Sequence, residues 1–169
     1  APLASSAGRL FDAAAALLGL RDVVEYEAQA AIDLERAAAD LPASCLPYAL
    51  RRVDDLVVYD TRPTLAALLA SGEPVDHLAA ALHETVVEVT RELVAEARRR
   101  TGVDEVCLSG GVLQNRRLAV GLLGGLTADG LTVHLNEQVP CNDGGISYGQ
   151  AAVAAAPLSD VPSYLPTTA

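Results

Sequence analysis

Apolar positions recur at helical spacing through most of the first hundred residues. In SSAGRLFDAAAALLGL, Leu10, Phe11, Ala14, Leu17 and Leu18 form one helical stripe. Ser5 or Ser6 can cap its start, and Gly19 ends it. EAQAAIDLERAAADL predicts a second helix, closed before Pro42. CLPYALRRVDDLVVYD breaks the pattern: short apolar runs on either side of VDD predict a small hairpin. TRPTLAALLASG predicts a short helix with Pro63 in its first turn and Gly72 past its end. The longest stripe, Leu78, Leu82, Val86, Val89, Leu93 and Ala97, predicts a helix from a cap at Asp76 to about Thr101, stopped by Gly102.

Beyond Gly102 the pattern alternates. DEVCLSGG predicts a short apolar strand through Val106, Cys107 and Leu108 that runs into a glycine turn, with Cys107 as a core thiol. LQNRRLAVGLLGGLTADG predicts a helix in spite of its glycines, LTVHLN a second strand, and EQVPCNDGG a loop. The last main helix is expected over residues 146–156, and the proline-rich tail, 157–169, is expected to be irregular. Helix, strand, helix, strand, helix favours parallel strands joined by helical crossovers. Independent sheets usually have three or more strands, so two core strands suggest part of a larger α/β unit.

Composition narrows the function classes. The 169 residues suit one domain, and 51 % are hydrophobic. Twenty-two acids against 12 bases give a net charge of −10, which argues against a broad nucleic-acid or membrane surface. No apolar run is long enough to span a bilayer and no signal-peptide pattern is present, so a cytoplasmic protein is expected. Arg98–Arg100 end the longest helix, where cations suit the helix dipole. Cys45, Cys107 and Cys141 are odd in number and lack C-x-x-C spacing, which points to neither a disulfide framework nor a zinc site.

Two glycine sites carry the candidate chemistry. LSGGVLQN and NDGGISYG each join a strand-side loop to a helix start. In a parallel sheet such loops gather beyond the carboxyl ends of the strands. Helix N-termini carry free N–H groups, and glycine lets a phosphate come close. Asp143 repels phosphate directly but can hold a divalent cation that bridges to it. The plain readings stay open: NDGG as a turn with Asp143 as a cap, and SGG as a tight strand-to-helix turn. Asn115 can bond a base or ribose, or cap its own helix. His83, beside the buried stripe, reads as structural, and His134 as an exposed strand residue. Neither glycine site matches the phosphate loop or the dinucleotide fingerprint.

APLASSAGRLFDAAAALLGL, YEAQAAIDLE, LHETV, LSGGVLQNRRL and PCNDGGISYGQAAVAA follow one another in this order. Together they resemble the carbamoyltransferase of nickel–iron hydrogenase maturation, the HypF family, over residues 1–156. The layout is more loosely similar to tRNA threonylcarbamoyl-transfer enzymes and to carbamoyltransferases of antibiotic synthesis. The resemblance implies an α/β fold: a partial actin/Hsp70-like (ASKHA) lobe, predominantly helical around a short parallel sheet. It implies the C-terminal part of a carbamoyltransferase domain whose upstream domains make carbamoyl-adenylate from carbamoyl phosphate and ATP. The carbamoyl group would pass to the C-terminal cysteine of a HypE-like acceptor protein, toward the cyanide ligands of hydrogenase.

Residue by residue, Asp143 matches the family's metal-binding acid. Gly110, Gly111 and Asn115 match its adenosine-side loop, and Gly144 and Gly145 its phosphate-side turn. Asp12 and Glu27 match acids expected near the ribose. Ala28 departs from an expected glycine, and its methyl would crowd the nucleotide. The cofactors implied are ATP or carbamoyl-adenylate and a divalent metal. Two other readings stand beside this one: a non-catalytic nucleotide-binding or interaction module, and a relative of the tRNA-modifying enzymes.

Overall fold

A computed structural model describes residues 6–156, so the expected irregular tail and a cap at Ser5 lie outside the described residues. The elements run α1 (Ala7–Leu17), α2 (Gln29–Ala38), β1 (Ala49–Val53), β2 (Leu56–Asp60), α3 (Arg62–Ala70) and α4 (Val75–Thr101). Then come β3 (Glu105–Leu108), a 3-10 turn (Gly111–Gln114), α5 (Arg116–Ala128), β4 (Thr132–Leu135), a second 3-10 turn (Asp143–Gly145) and α6 (Ile146–Ala155).

β1 and β2 form the antiparallel hairpin, with Val53 opposite Leu56 across the Asp54–Asp55 turn. β3 and β4 pair in parallel, Val106 opposite Val133 and Leu108 opposite Leu135, as the alternation requires. The core lies where α1, α2, α4 and α5 meet. Phe11, Leu34, Leu82, Leu118 and Leu126 are fully buried there. Each such side chain contributes about 1.5–3 kcal/mol when removed from water.

Some expectations change. The cap position of α4 is Pro74 rather than Asp76, which lies in the first turn and accepts a hydrogen bond from the His77 amide at 2.8 Å. Proline suits a helix start, where an N–H has no intrahelical partner in any case. Ser6 is the cap position of α1 but makes no side-chain cap. Leu17 and Ala97 fall on exposed ends of their stripes. Cys107 is exposed, because β3 buries only one face and the thiol falls on the other. All three cysteines are free thiols.

The glycines of α5 are a packing seam. A Cβ on Gly121 would stand 2.9 Å from Val87 Cγ2, and one on Gly125 2.7 Å from Arg91 Cδ. Their absence of side chain lets α5 close on α4. Arg117 completes the junction from the interior. Its guanidinium donates to the Ala39 and Leu41 carbonyls at 2.9 and 2.7 Å and to Glu84 at 2.9 Å. It thus satisfies carbonyls at and beyond the end of α2, where a cation also suits the helix dipole. Arg98, Arg99 and Arg100 pair with Asp104 and Glu96, in agreement with the structural reading of that run. Three arginines hold the Glu96 carboxyl down at about 2, chiefly through the hydrogen bonds from Arg99 and Arg100.

Candidate functional site: a glycine-lined cleft at the sheet edge

β3 and β4 end on the same side, and the loops that follow them meet. The Gly110 amide donates to the Cys141 carbonyl at 2.8 Å, which fastens the SGG loop to the NDGG loop. A cleft of about 700 Å³ opens beside this junction, within the range of small-molecule sites. Gly110, Gly111, Asn115, Asp143 and Gly144 line it from one side, Glu27 and Ala28 from the other. The start of α1 closes a third side through Ser6 and Arg9.

The sequence-predicted residues divide. Glu27, Gly110, Gly111, Asn115, Asp143 and Gly144 come together in this cleft. Gly145 lines an adjoining hollow with Pro140 and Tyr148. Asp12 pairs with Arg9 at 2.8 Å and does not line the cleft.

The two glycine turns serve by what they lack. Gly110 has φ 108° and ψ 153°, a region that side chains avoid. A Cβ on Gly145 would overlap the Pro140 carbonyl oxygen. The Gly144 amide donates to Asn142 Oδ1 at 3.1 Å, and the Gly145 amide to the Asn142 carbonyl at 2.9 Å. These amides are already committed within the loop, so the glycines offer a ligand close approach rather than donors. Asn142, not Asp143, is the capping residue of the turn. That leaves the exposed Asp143 carboxylate without a capping role.

The start of α5 is also occupied. Asn115 Oδ1 accepts from the Leu118 amide at 3.0 Å, and Glu35 Oε1 from the Arg116 amide at 2.7 Å. A carboxylate of the protein's own therefore holds the place that an anion would take at that helix start. The start of α6 opens on the adjoining hollow, lined by Gly145, Ile146 and Tyr148. Asn142 had a local signal, since Asn two residues before a glycine pair is a turn-former. Glu35 had none, being 81 residues from its partner.

Charge in the cleft is negative. Glu27, Glu35 and Asp143 line it, and the lining arginine, Arg9, is paired with Asp12. No group of three or more His, Cys, Asp or Glu residues suited to a metal occurs among the described residues. Asp143 offers a single exposed carboxylate there, so a divalent cation held by it would need the rest of its ligands from water, phosphate or other parts of the protein.

Helices around a short parallel sheet, with a glycine-lined cleft beyond the strand ends, define a lobe of the Kae1-like, actin/Hsp70-related class. The chain belongs to the HypF carbamoyltransferase family: residues 1–150 match the family of the carbamoyltransferase Kae1-like domain, second subdomain. It is 43 % identical over 163 residues to the carbamoyltransferase HypF of Rhodobacter capsulatus, covering 94 % of this chain and 20 % of that one. Identity to HypF of Rhizobium leguminosarum bv. viciae is 40 % over 154 residues, covering 90 % and 20 %. A solved structure of full-length HypF in its phosphate- and nucleotide-bound form superposes with a TM-score of 0.82 at 41 % identity, over 89 % of this chain and 20 % of that one. The chain thus spans about a fifth of the length of these relatives.

Proposed function

We propose that this chain supplies one wall of the nucleotide site of a carbamoyltransferase acting in hydrogenase maturation. In this reading the protein uses carbamoyl-adenylate, made from carbamoyl phosphate and ATP by other domains of the same protein. The carbamoyl group goes to the C-terminal cysteine of a HypE-like acceptor in the cytoplasm. The observation that carries the reading is the junction of the two glycine loops at the ends of parallel strands, closed by the Gly110–Cys141 hydrogen bond. Its support from outside the chain is the nucleotide-bound state of the HypF structure that it resembles.

The chain's own residues have separable tasks. The Gly110–Gly111 turn and Asn115 face the nucleoside, and Gly144 gives the phosphates close access to the start of α6. Glu27 accepts from ribose hydroxyls. Asp143 holds the divalent cation, whose chemistry is to neutralise phosphate charge. Asp12 is assigned a supporting place, orienting Arg9 through their ion pair. Substitution Asp143→Ala in the protein of full natural length tests the reading. Carbamoyl transfer is expected to vanish while the circular dichroism and melting temperature stay unchanged. Transfer at the wild-type rate would return NDGG to a plain turn.

A further inference from the structure

His83 is the one buried imidazole of the described residues, fully out of solvent on α4. Its Nδ1 lies 2.7 Å from the Ala79 carbonyl oxygen. A carbonyl only accepts, so Nδ1 carries the hydrogen. Burial, the largest influence on this group, pushes its pKa below the ordinary value of 6.5 and keeps the ring neutral. Nε2 then holds a bare lone pair. The Asn115 side-chain nitrogen stands 2.9 Å from it, and only a donor suits that place.

The remaining contacts agree. Asn115 Oδ1 accepts from the Leu118 amide at 3.0 Å, so both ends of the amide are held with matching polarity. Phe11 meets the imidazole edge-on, ring centres 5.0 Å apart, and blocks rotation of the ring. Phe11 and Asn115 also line the cleft. An unheld Asn can turn its amide over at little cost and then offers a ligand an acceptor where it had offered a donor. Here a turned amide would set N–H against N–H at Leu118 and oxygen against a lone pair at His83.

We propose that His83 is a positioning residue: through Nε2 it fixes the amide of Asn115 in one orientation, and so presets the hydrogen-bonding pattern that the cleft shows a nucleoside. The affinity part of this proposal rests on the nucleotide reading given above; the contact itself does not. The chain Ala79–His83–Asn115–Leu118 runs from α4 to the start of α5 and holds one polar group of a wall that also carries Gly110, Gly111, Gln114 and Asp143. A preset polar group is what discriminates between ligands that differ in one donor or acceptor.

The test uses the 15N-labelled chain. Long-range nitrogen–proton spectra should give His83 as the Nδ1–H tautomer at neutral pH, and the Asn115 side-chain amide should move strongly in His83→Phe. The Nε2–H tautomer, or an Asn115 amide unmoved by His83→Phe, would overturn the contact. Titration with magnesium ATP, run on the wild-type protein of full natural length because this chain supplies one wall of the site, should shift the Gly110 and Gly111 amides. The apparent Kd should rise about tenfold in His83→Phe and recover most of that in His83→Gln, whose side-chain oxygen can accept from Asn115. An unchanged Kd in His83→Phe overturns the positioning role, as does equal loss in His83→Gln with both variants folded. No shift at Gly110 and Gly111 in the wild type overturns the nucleotide reading and the affinity claim with it, while the tautomer still decides the contact.

Discussion

Ala28 sits at φ 62° and ψ 7°, in the left-handed region that favours glycine. The position expected to be glycine is therefore one whose backbone asks for it, and the methyl also lines the cleft. Substitution Ala28→Gly should relieve strain of about 1 kcal/mol, partly offset by the larger freedom of glycine in the unfolded chain. The expected net effect is a small gain in urea midpoint, and a loss would show that the turn is unstrained. His83 makes a second residue-scale prediction. Its folded pKa is depressed by burial, so the unfolded chain binds more protons below the ordinary value of 6.5. The stability it supports is present above pH 6.5 and declines as pH falls toward the depressed value. Arg117 pushes in the same direction, while Glu35 and Glu84 oppose it. Unfolding curves between pH 5 and 7 should show this slope in the wild type and a shallower one in His83→Phe.

At the scale of elements, α5 was the helix most weakened by its composition, since interior glycine costs about 1 kcal/mol relative to alanine. The structure separates its glycines by surroundings. Gly124 meets nothing within 4 Å, whereas Gly121 faces Val87, whose branched side chain is buried and cannot swing away. Gly124→Ala should stabilise the chain by up to about 1 kcal/mol. Gly121→Ala should destabilise it by about 1–3 kcal/mol, since overlap at a tight helix crossing outweighs propensity. Thermal melts of the two variants check the pair, and equal shifts of the same sign would refute the seam. Arg91 reinforces the same crossing, bonding Asp129 through two nitrogens at 2.8 and 2.7 Å.

At the scale of the whole molecule, the sign of charge sets a condition on the proposed nucleotide. The chain carries −10 overall, and its cleft is lined by three carboxylates. Free ATP adds several more negative charges to that field. Magnesium should therefore strengthen ATP binding by at least about tenfold, and Asp143→Asn should shrink that magnesium dependence. Calorimetry with and without the cation measures both. Binding that is equally strong in the presence of a chelator would remove Asp143 from the site. None of the described helices is long and apolar enough to cross a membrane.

The periodicity of apolar residues by itself determined the helices, the hairpin and the parallel pair, because local spacing decides which face of an element is apolar. It also marked both glycine loops, since a turn that excludes side chains must be written as glycine. Asn115 was legible as a cap from its place at a helix start, and His83 as structural from its place beside the α4 stripe. What sequence could not show is which groups are consumed by partners far along the chain. Glu35 takes the free amide of α5, Cys141 that of Gly110, and Asn115 the lone pair of His83. Cys107 turned outward because β3 buries one face only. Asp12, three residues from Arg9 in the sequence, is drawn to that arginine and does not line the cleft. Apart from the local Arg9–Asp12 pair within α1, these outcomes rest on how separate elements pack, and local spacing carries no record of which distant atom will arrive.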